Sequence, residues 1–466
     1  VNEQIIDLPP WPFVWNGAHF DQSITPRYIV FTPNFLTAND KTGAYPDSYY
    51  AASAHPIYGF DTFDGDVTCD VVVIGGGFTG LSSALHLAEQ GYDVVLLEAH
   101  KVGWGASGRN GGQVGSGQRR EQDELEKMLG VDDARKLWDI AEQSKDIVKS
   151  LIKKHGINCD WKPGILHADH RERFVKGTHE YADKLRDEYG YDQIRNINRD
   201  EMRDMVGSEF YHGGSLDMGA GHLHPLNFAL GLAVAARQAG VRIYENAMVT
   251  EYSTDENVTV KVHGGTTVTG QMLILGCNGY LDGLDDRVAR RVMPINNFVI
   301  ATEPLGEDMA RALIRDDVAV ADSKFVINYY RLSADNRMLF GGGETYSYHF
   351  PKDIKSFVQP YMFEVYPQLR DARIDYGWGG TLAITMNRMP YFRRVEKRVF
   401  SASGYSGHGV AMATLAGQIM AEAVSGTMER FDVMANVPVP EFPGGKSLRY
   451  PLLVLAMTWF SLRDRF

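Results

Sequence analysis

Cysteine is scarce: 466 residues carry three, Cys69, Cys159 and Cys277. They cannot all pair, and no CxxC or His-cluster spacing accompanies them, which argues against a disulfide framework and against a zinc site. That usage suits a reducing cytoplasm. Clustered cations are lacking too. The chain has 47 Lys and Arg against 59 Asp and Glu, a net charge of -12, and basic runs such as Arg290-Arg291 are short, so no nucleic-acid partner is expected. No apolar run reaches the roughly 20 residues of a membrane-spanning helix. The start carries Glu3, Asp7 and Pro9-Pro10 where a signal peptide would need a basic region and an apolar stretch, so none is expected. Near the other end, Tyr450 to Phe460 (YPLLVLAMTWF) is apolar but short. It reads as a buried or dimer-interface helix, with a membrane-surface contact through Arg449, Arg463 and Arg465 as the alternative. Neither a repeat of fixed period nor a low-complexity tract is visible.

Glycine, by contrast, is abundant, at 48 residues. Such an excess suits tight turns and close backbone approaches, which a bulky ligand held by main-chain groups requires. The length favours two domains. Residues 1–48, with Trp11, Phe13, Trp15 and Phe31 among prolines, read as an irregular arm packed on the body or on a second copy in a homo-oligomer. From Cys69 the pattern becomes a buried strand (CDVVVI), a glycine-rich turn, a helix (LSSALHLAEQ) and a second strand (DVVLLE), the start of a βαβ unit. Leu137, Ala141, Ile147, Val148 and Leu151, at near-helical spacing among charges, mark 121–199 as a helical excursion. Helix and strand alternate again over 225–276, antiparallel strands follow at INNFVIATE, FVINYYRL and MLFGGG, and a last strand (RVFSAS), glycine turn and helix begin near 398. A nucleotide-binding unit made of 65–120, 200–278 and 385–430 is therefore expected to interleave with a substrate domain at 279–384, before a C-terminal segment at 431–466 with a terminal helix.

Three glycine-rich loops carry the chemistry. The first, Gly75-Gly76-Gly77-Phe78-Thr79-Gly80, is a GxGxxG between a strand and a helix. Gly75 permits the turn, Gly77 lets the backbone approach a pyrophosphate beside Phe78 and Thr79, and Gly80 lets helix and strand pack closely. Glu98, eighteen residues after Gly80 and followed by Ala99, ends the second strand. A carboxylate there accepts hydrogen bonds from adenosine ribose hydroxyls and repels a 2′-phosphate. That motif serves NAD and FAD alike. The second loop decides for FAD: Gly105-Ala106-Ser107-Gly108-Arg109-Asn110-Gly111-Gly112-Gln113 offers small residues, amides and one cation to a pyrophosphate and an isoalloxazine. The third, Gly404-Tyr405-Ser406-Gly407-His408-Gly409-Val410, again precedes a helix, whose N-terminus stabilises the negative charge that a reduced flavin develops. His408 is either a proton-handling group or a turn residue. Val249, Gly276 and Gly380 complete the candidate cofactor-binding positions. No metal site is expected.

Together VVVIGGGFTGLSSALHLAEQG, GASGRNGGQ, GHLHPLNFALGLA, WGGTLAITMNRMP, GYSGHG and the ending FPGGKSLRYPLLVLAMTWFSLRDRF resemble the FAD oxidoreductases of the D-amino acid oxidase type. Within that group the resemblance is to the γ-glutamylputrescine oxidoreductases, and it runs from about Ser48 to the end. It implies an α/β fold: a Rossmann-like FAD-binding domain interleaved with an antiparallel-sheet α+β substrate domain. The implied reaction is two-electron oxidation of a C–N bond in a small-molecule amine. Hydride passes from the carbon bearing the amine to flavin N5, the imine is hydrolysed to an aldehyde and ammonia, and O2 or another electron acceptor closes the cycle.

Only the neutral amine can release hydride. If it titrates near a lysine, about 10.4, deprotonation at neutral pH costs roughly 4 to 5 kcal/mol, part of which a dry aromatic pocket offsets. Tyr329, Tyr330, Trp378 and Tyr405 are candidate walls, with the core of an antiparallel sheet as the alternative for each. Tyr330, Trp378, Tyr405 and His408 are the candidate catalytic positions. Arg331 would hold a substrate carboxylate or form a surface ion pair. Where relatives attach flavin through a Cys before the late Pro or a His in the early loop, this chain has Ile384 and Asn110, so non-covalent FAD is expected. Leu339 stands near the point where sarcosine-type oxidases place a lysine. The expected substrate is γ-glutamylputrescine or a related polyamine derivative. The alternatives are an oxidase or dehydrogenase of N-methyl or D-amino acids, and a flavin-bound protein serving binding or assembly.

Overall fold

Val71–Ile74 and Val94–Leu97 are buried at every residue, as unbroken VVVI and VVLL runs require of strands covered on both faces. In the computed structural model, which describes residues 34–281, 283–345 and 347–444, they form the centre of a seven-stranded sheet. Its order is Asp61–Thr62, Arg242–Glu245, Val94–Leu97, Val71–Ile74, Met272–Leu275, Val399–Ser403 and Tyr391–Glu396, parallel except for the last pair. The helix Phe78–Glu89 joins the two central strands and starts three residues before the expected LSSALHLAEQ, so Gly80 lies in its first turn. A Cβ on Gly80 would lie 1.9 Å from the Gly75 carbonyl oxygen, so the helix meets the glycine turn backbone to backbone.

A second helix, Gly409–Val424, packs across the first. A Cβ on Gly417 would come 2.5 Å from Ser82 Cβ, and Ser82 Oγ donates to the Thr414 carbonyl at 2.7 Å. Both helices begin at the ends of parallel strands, where the positive ends of their dipoles meet ligands in folds of this kind.

The second sheet has nine strands. It runs Ile374–Ile384, Met293–Thr302, Met338–Thr345, Tyr329–Leu332, Ala319–Asp322, Lys162–Ala168, Gly214–His222 and Gln113–Val114, with Ile194–Ile197 also paired to Gly214–His222. Its pairs are antiparallel except where Ala319–Asp322 meets Lys162–Ala168. Residues 121–199 thus depart from the expected helical excursion. They do supply the helices Gln122–Leu129, Val131–His155 and Glu172–Tyr189, yet Lys162–Ala168 and Ile194–Ile197 are strands of this sheet. So is Gly214–His222, from a stretch expected in the nucleotide-binding unit. KPGILHA contains Pro and Gly, and its parallel partner lies far along the chain, so nothing local marks it as a strand. A small third sheet joins Val249–Ser253, Val258–Val262, Thr267–Gly270 and Val67–Thr68.

Of the N-terminal arm, residues 34–48 are described. Asn39 exchanges hydrogen bonds with the Tyr348 carbonyl and the Phe350 N–H, both at 2.8 Å, and Asp40 pairs with Arg109, so the segment ties the second glycine-rich loop to the stretch that follows the strand Met338–Thr345. Residues 1–33 and the Tyr450 to Phe460 stretch lie outside the described residues. Among the described residues no helix is long and apolar enough to cross a membrane, and no group of three or more His, Cys, Asp or Glu is placed to hold a metal ion.

Candidate active site

A cavity of about 590 Å³ lies between the two large sheets, a volume within the usual range for small-molecule and cofactor sites. Ile74, Leu97 and Gly276 reach it from the ends of parallel strands, and Asn297, Ala321, Tyr329 and Glu344 from the nine-stranded sheet. All three glycine-rich loops contribute. Gly75, Gly77, Phe78 and Thr79 come from the first; Gly105, Ala106, Ser107, Asn110, Gly111 and Gln113 from the second; Tyr405, Gly407, His408, Gly409 and Val410 from the third. Glu98, Ala99 and Val249 complete the expected residues found in the wall.

The first loop is held by geometry that few residues permit. Gly75 has φ +106°, and a Cβ there would lie 2.9 Å from the Gly276 carbonyl oxygen, so the turn demands glycine. Ser107 of the second loop accepts from the Phe78 N–H at 3.0 Å, capping the helix from outside. Gly76 and His100 N–H groups donate to the two Glu98 carboxylate oxygens at 2.6 and 2.9 Å and fix its direction. The exposed part of Glu98 faces the cavity rather than open water. Burial pushes its pKa up to about 7, with Glu245 adding to the rise and N–H donors from His100, Gly76 and Ala99 opposing it.

At the third loop, His408 Nδ1 is buried and has no hydrogen-bond partner among the described residues. Burial, and after it Arg119, pushes the His408 pKa down to about 3, so the imidazole is neutral at neutral pH and a poor base. Tyr405 lines the cavity, but its hydroxyl shares a hydrogen bond with Thr79 Oγ1 at 2.7 Å and donates to the Ala402 carbonyl at 3.2 Å, while burial pushes its pKa up. It joins the third loop to the first helix. A directed carboxylate and two helix starts facing one space are the acceptor and donor set that a flavin dinucleotide needs.

Several expected residues stand behind the wall instead. Side chains alternate across a strand, so Tyr329 faces the cavity while Tyr330 points into the opposite core, stacked on Phe340 at 5.2 Å and edge-on to Tyr366 at 5.5 Å. Tyr330→Ala should therefore cost about 3–5 kcal/mol in denaturant unfolding and leave FAD affinity as it was. A loss of affinity with no loss of stability would return Tyr330 to the site. Trp378 is also core, donating to the Arg109 carbonyl at 3.0 Å and packing edge-on to Tyr50 at 5.1 Å. Arg109 itself turns away from the cavity. Its guanidinium donates to the carbonyls of Trp104 at 2.6 Å and Gly379 at 3.1 Å, pairs with Asp40 at 2.6 Å and lies 4.3 Å over the Trp104 ring.

Arg331 is neither a carboxylate ligand nor a surface ion pair. It is buried, and it donates to the carbonyls of Gly111 at 2.9 Å and Leu332 at 3.1 Å. Gly80, Gly112, Gly380 and Gly404 do not line the cavity; they abut Gly75, the Leu223 carbonyl, Arg109 and Thr385, and let those segments approach. Leu339 lies in the core.

Conversely, Arg119, Asn278, Glu344 and Arg388 line the cavity without having been expected there. Arg119 (φ 79°), Asn278 (47°), Arg388 (64°) and Ser406 (51°) are four of the eight non-glycine residues with left-handed backbone among the described residues, and all four are in this wall. Strain of that kind gathers at functional sites. Asn278, in Cys-Asn-Gly, and Ser406, before Gly407, carry a sequence hint of it, and the two arginines do not.

The chain is 43% identical to the γ-glutamylputrescine oxidoreductase of Escherichia coli over 419 residues, 90% of this chain and 98% of the relative. It is 38% identical to a probable oxidoreductase of Rhizobium meliloti, over 90% of this chain and 97% of the other. Its fold is similar to that of glycine oxidase from Geobacillus kaustophilus, with a TM-score of 0.66 at 20% identity, covering 77% of this chain and 95% of that one. Residues 70–423 match the DAO family of FAD dependent oxidoreductases, and the chain belongs to that family.

Proposed function

We propose that this enzyme oxidises the terminal C–N bond of γ-glutamylputrescine, or of a closely related polyamine derivative, with non-covalent FAD, and releases an aldehyde and ammonia. The observation that carries the reading is one cavity shared by Glu98, both helix starts and the polar face of Asn297, Tyr329 and Glu344. Similarity to the Escherichia coli enzyme, 43% identity over 98% of its length, supports the choice of substrate.

Bound there, FAD supplies the two-electron acceptor. Glu98 accepts the ribose hydroxyls, and the helices starting at Phe78 and Gly409 turn N–H groups and positive dipole ends towards the pyrophosphate and the ring. Ile384 in the wall offers no nucleophile, and the Asn110 amide is spent on the Ala106 and Ser107 carbonyls at 2.9 and 3.0 Å. Cys277 also lines the cavity, but burial pushes its pKa up to about 12 and keeps it a thiol. These three residues support non-covalent attachment.

Tyr329 donates to Asn297 Oδ1, and burial pushes its pKa up, with Tyr50 and Glu344 adding to the rise, so Tyr329 is the neutral aromatic part of a wall that also carries Glu344. Burial against that ring disfavours an ammonium and brings the reactive neutral amine nearer at neutral pH, while Glu344 acts in the opposite sense. His408 is too weak a base to keep the amine proton and serves as part of the cavity wall. Oxygen or another acceptor then reoxidises the enzyme, and three free thiols support a reducing cytoplasm as its compartment.

Anaerobic mixing tests the reading. γ-Glutamylputrescine should bleach the flavin faster than any N-methyl or D-amino acid does. Bleaching by amino acids alone would transfer the assignment to them, and no bleaching by any amine would remove it.

A further inference from the structure

Arg119 and Arg388 are the cations of the cavity wall among the described residues, and Glu344 lines the same space. They come from three stretches of chain. Arg119 follows the strand Gln113–Val114, Glu344 is near the end of Met338–Thr345, and Arg388 sits in the turn between Ile374–Ile384 and Tyr391–Glu396. The two arginine turns are tied together. Arg120 Nε donates to the Asn387 carbonyl at 2.8 Å, and Thr385 Oγ1 donates to the Met389 carbonyl at 2.7 Å, shaping the second turn.

Both arginines hold a left-handed backbone that L residues adopt only against a penalty, so the fold fixes these side chains at the wall in spite of local preference. The Arg119 guanidinium is water-accessible yet ringed by protein, as a cavity wall allows. Burial holds its pKa below the usual value, the nearby Arg388 lowers it further, and Glu344 opposes both. Two cations lining one cavity favour an anion within it. Arg109 and Arg331, the other cations near the loops, donate to backbone carbonyls and do not line the cavity.

We propose that Arg119, Arg388 and Glu344 form the subsite that reads the zwitterionic amino-acid head of the γ-glutamyl group. The guanidiniums take its α-carboxylate and Glu344 its α-ammonium. This rests on the function proposed above and deepens it. Head and reacting amine are at opposite ends of the substrate, so the subsite selects which end is presented for oxidation. Free putrescine has no carboxylate for the cations and a second ammonium to set against them, which makes it a poor ligand.

The test uses the FAD-loaded enzyme and two ligands that differ only in the head. γ-Glutamyl-n-butylamide keeps the zwitterion and lacks the terminal amine; butyryl-n-butylamide lacks both charges as well. Calorimetry on the wild type should find the first roughly 10- to 100-fold tighter. Arg119→Asn and Arg388→Asn, chosen because Asn tolerates left-handed backbone, should each narrow that gap by about 10-fold, and Arg388→Lys should restore part of it. Retained flavin absorbance reports folding in every variant.

Variants that bind γ-glutamyl-n-butylamide as tightly as the wild type overturn the subsite, whether or not γ-glutamylputrescine bleaches the wild-type flavin. A gap that narrows in the variants upholds the subsite even if that bleaching fails, in which case the proposed reaction alone is lost.

Discussion

Gly80→Ala is expected to give a destabilised protein that emerges from purification without FAD. The added Cβ would lie 1.9 Å from the Gly75 carbonyl oxygen and 3.2 Å from Val73 Cγ1. The nearer obstacle is backbone, which has no rotamer to retreat into. Relief requires moving the helix start away from the strand, which also displaces Gly75, Gly77 and the Phe78 N–H that Ser107 caps. The overpacking should cost about 3 kcal/mol or more. Gly177→Ala is the control, because that glycine lies in the helix Glu172–Tyr189 with nothing within 4 Å of its Cβ position. There alanine should stabilise by roughly 0.5–1 kcal/mol. Denaturant unfolding together with flavin absorbance after desalting reads both variants. A Gly80→Ala protein as stable and as yellow as the wild type would contradict the backbone contact.

Glu98→Gln should weaken FAD binding about 100-fold. The two carboxylate oxygens each accept a backbone N–H, from Gly76 and from His100. An amide has one acceptor oxygen, so one of those donors would face an NH2 group, and the charge that strengthens bonds to ribose hydroxyls would be gone. The same carboxylate predicts a pH effect. Its pKa is raised to about 7 in the ligand-free fold, against an ordinary carboxyl value of 4.5. The apoprotein therefore binds this proton more tightly than the unfolded chain does, and the linked stability, complete below 4.5, is lost as pH rises towards 7. FAD favours the ionised form. Its affinity should be full above pH 7 and fall as pH drops through 7, approaching about tenfold per unit, in fluorescence titrations of the apoprotein. Glu98→Gln should remove that slope. A slope that persists in the variant would place the titrating group elsewhere.

The parts of the site that were legible in the sequence are those set by backbone geometry. A GxGxxG between strand and helix, with an acid at the end of the next strand, leaves little freedom, and Gly75, Gly77 and Glu98 stand where the spacing put them. Side-chain direction was not legible. Adjacent tyrosines on a strand face opposite ways, but nothing local says which of Tyr329 and Tyr330 meets the cavity. Arginine is ambiguous for another reason. In a buried setting its five donors are satisfied as well by carbonyls as by a ligand, and Arg109 and Arg331 took the carbonyls. Arg119 and Arg388 escaped notice because a left-handed arginine leaves no compositional mark. The strand Lys162–Ala168 was hidden because its pairing with Ala319–Asp322 is long-range.

On the proposed function, the cavity between the two sheets brings a primary amine of a polyamine derivative to FAD. A single anaerobic turnover on γ-glutamylputrescine measures it most directly, with aldehyde, ammonia and flavin absorbance followed together. Aldehyde and ammonia should form in amounts equal to the flavin bleached. Bleaching without ammonia, or an unbleached flavin in enzyme saturated with substrate, would contradict it.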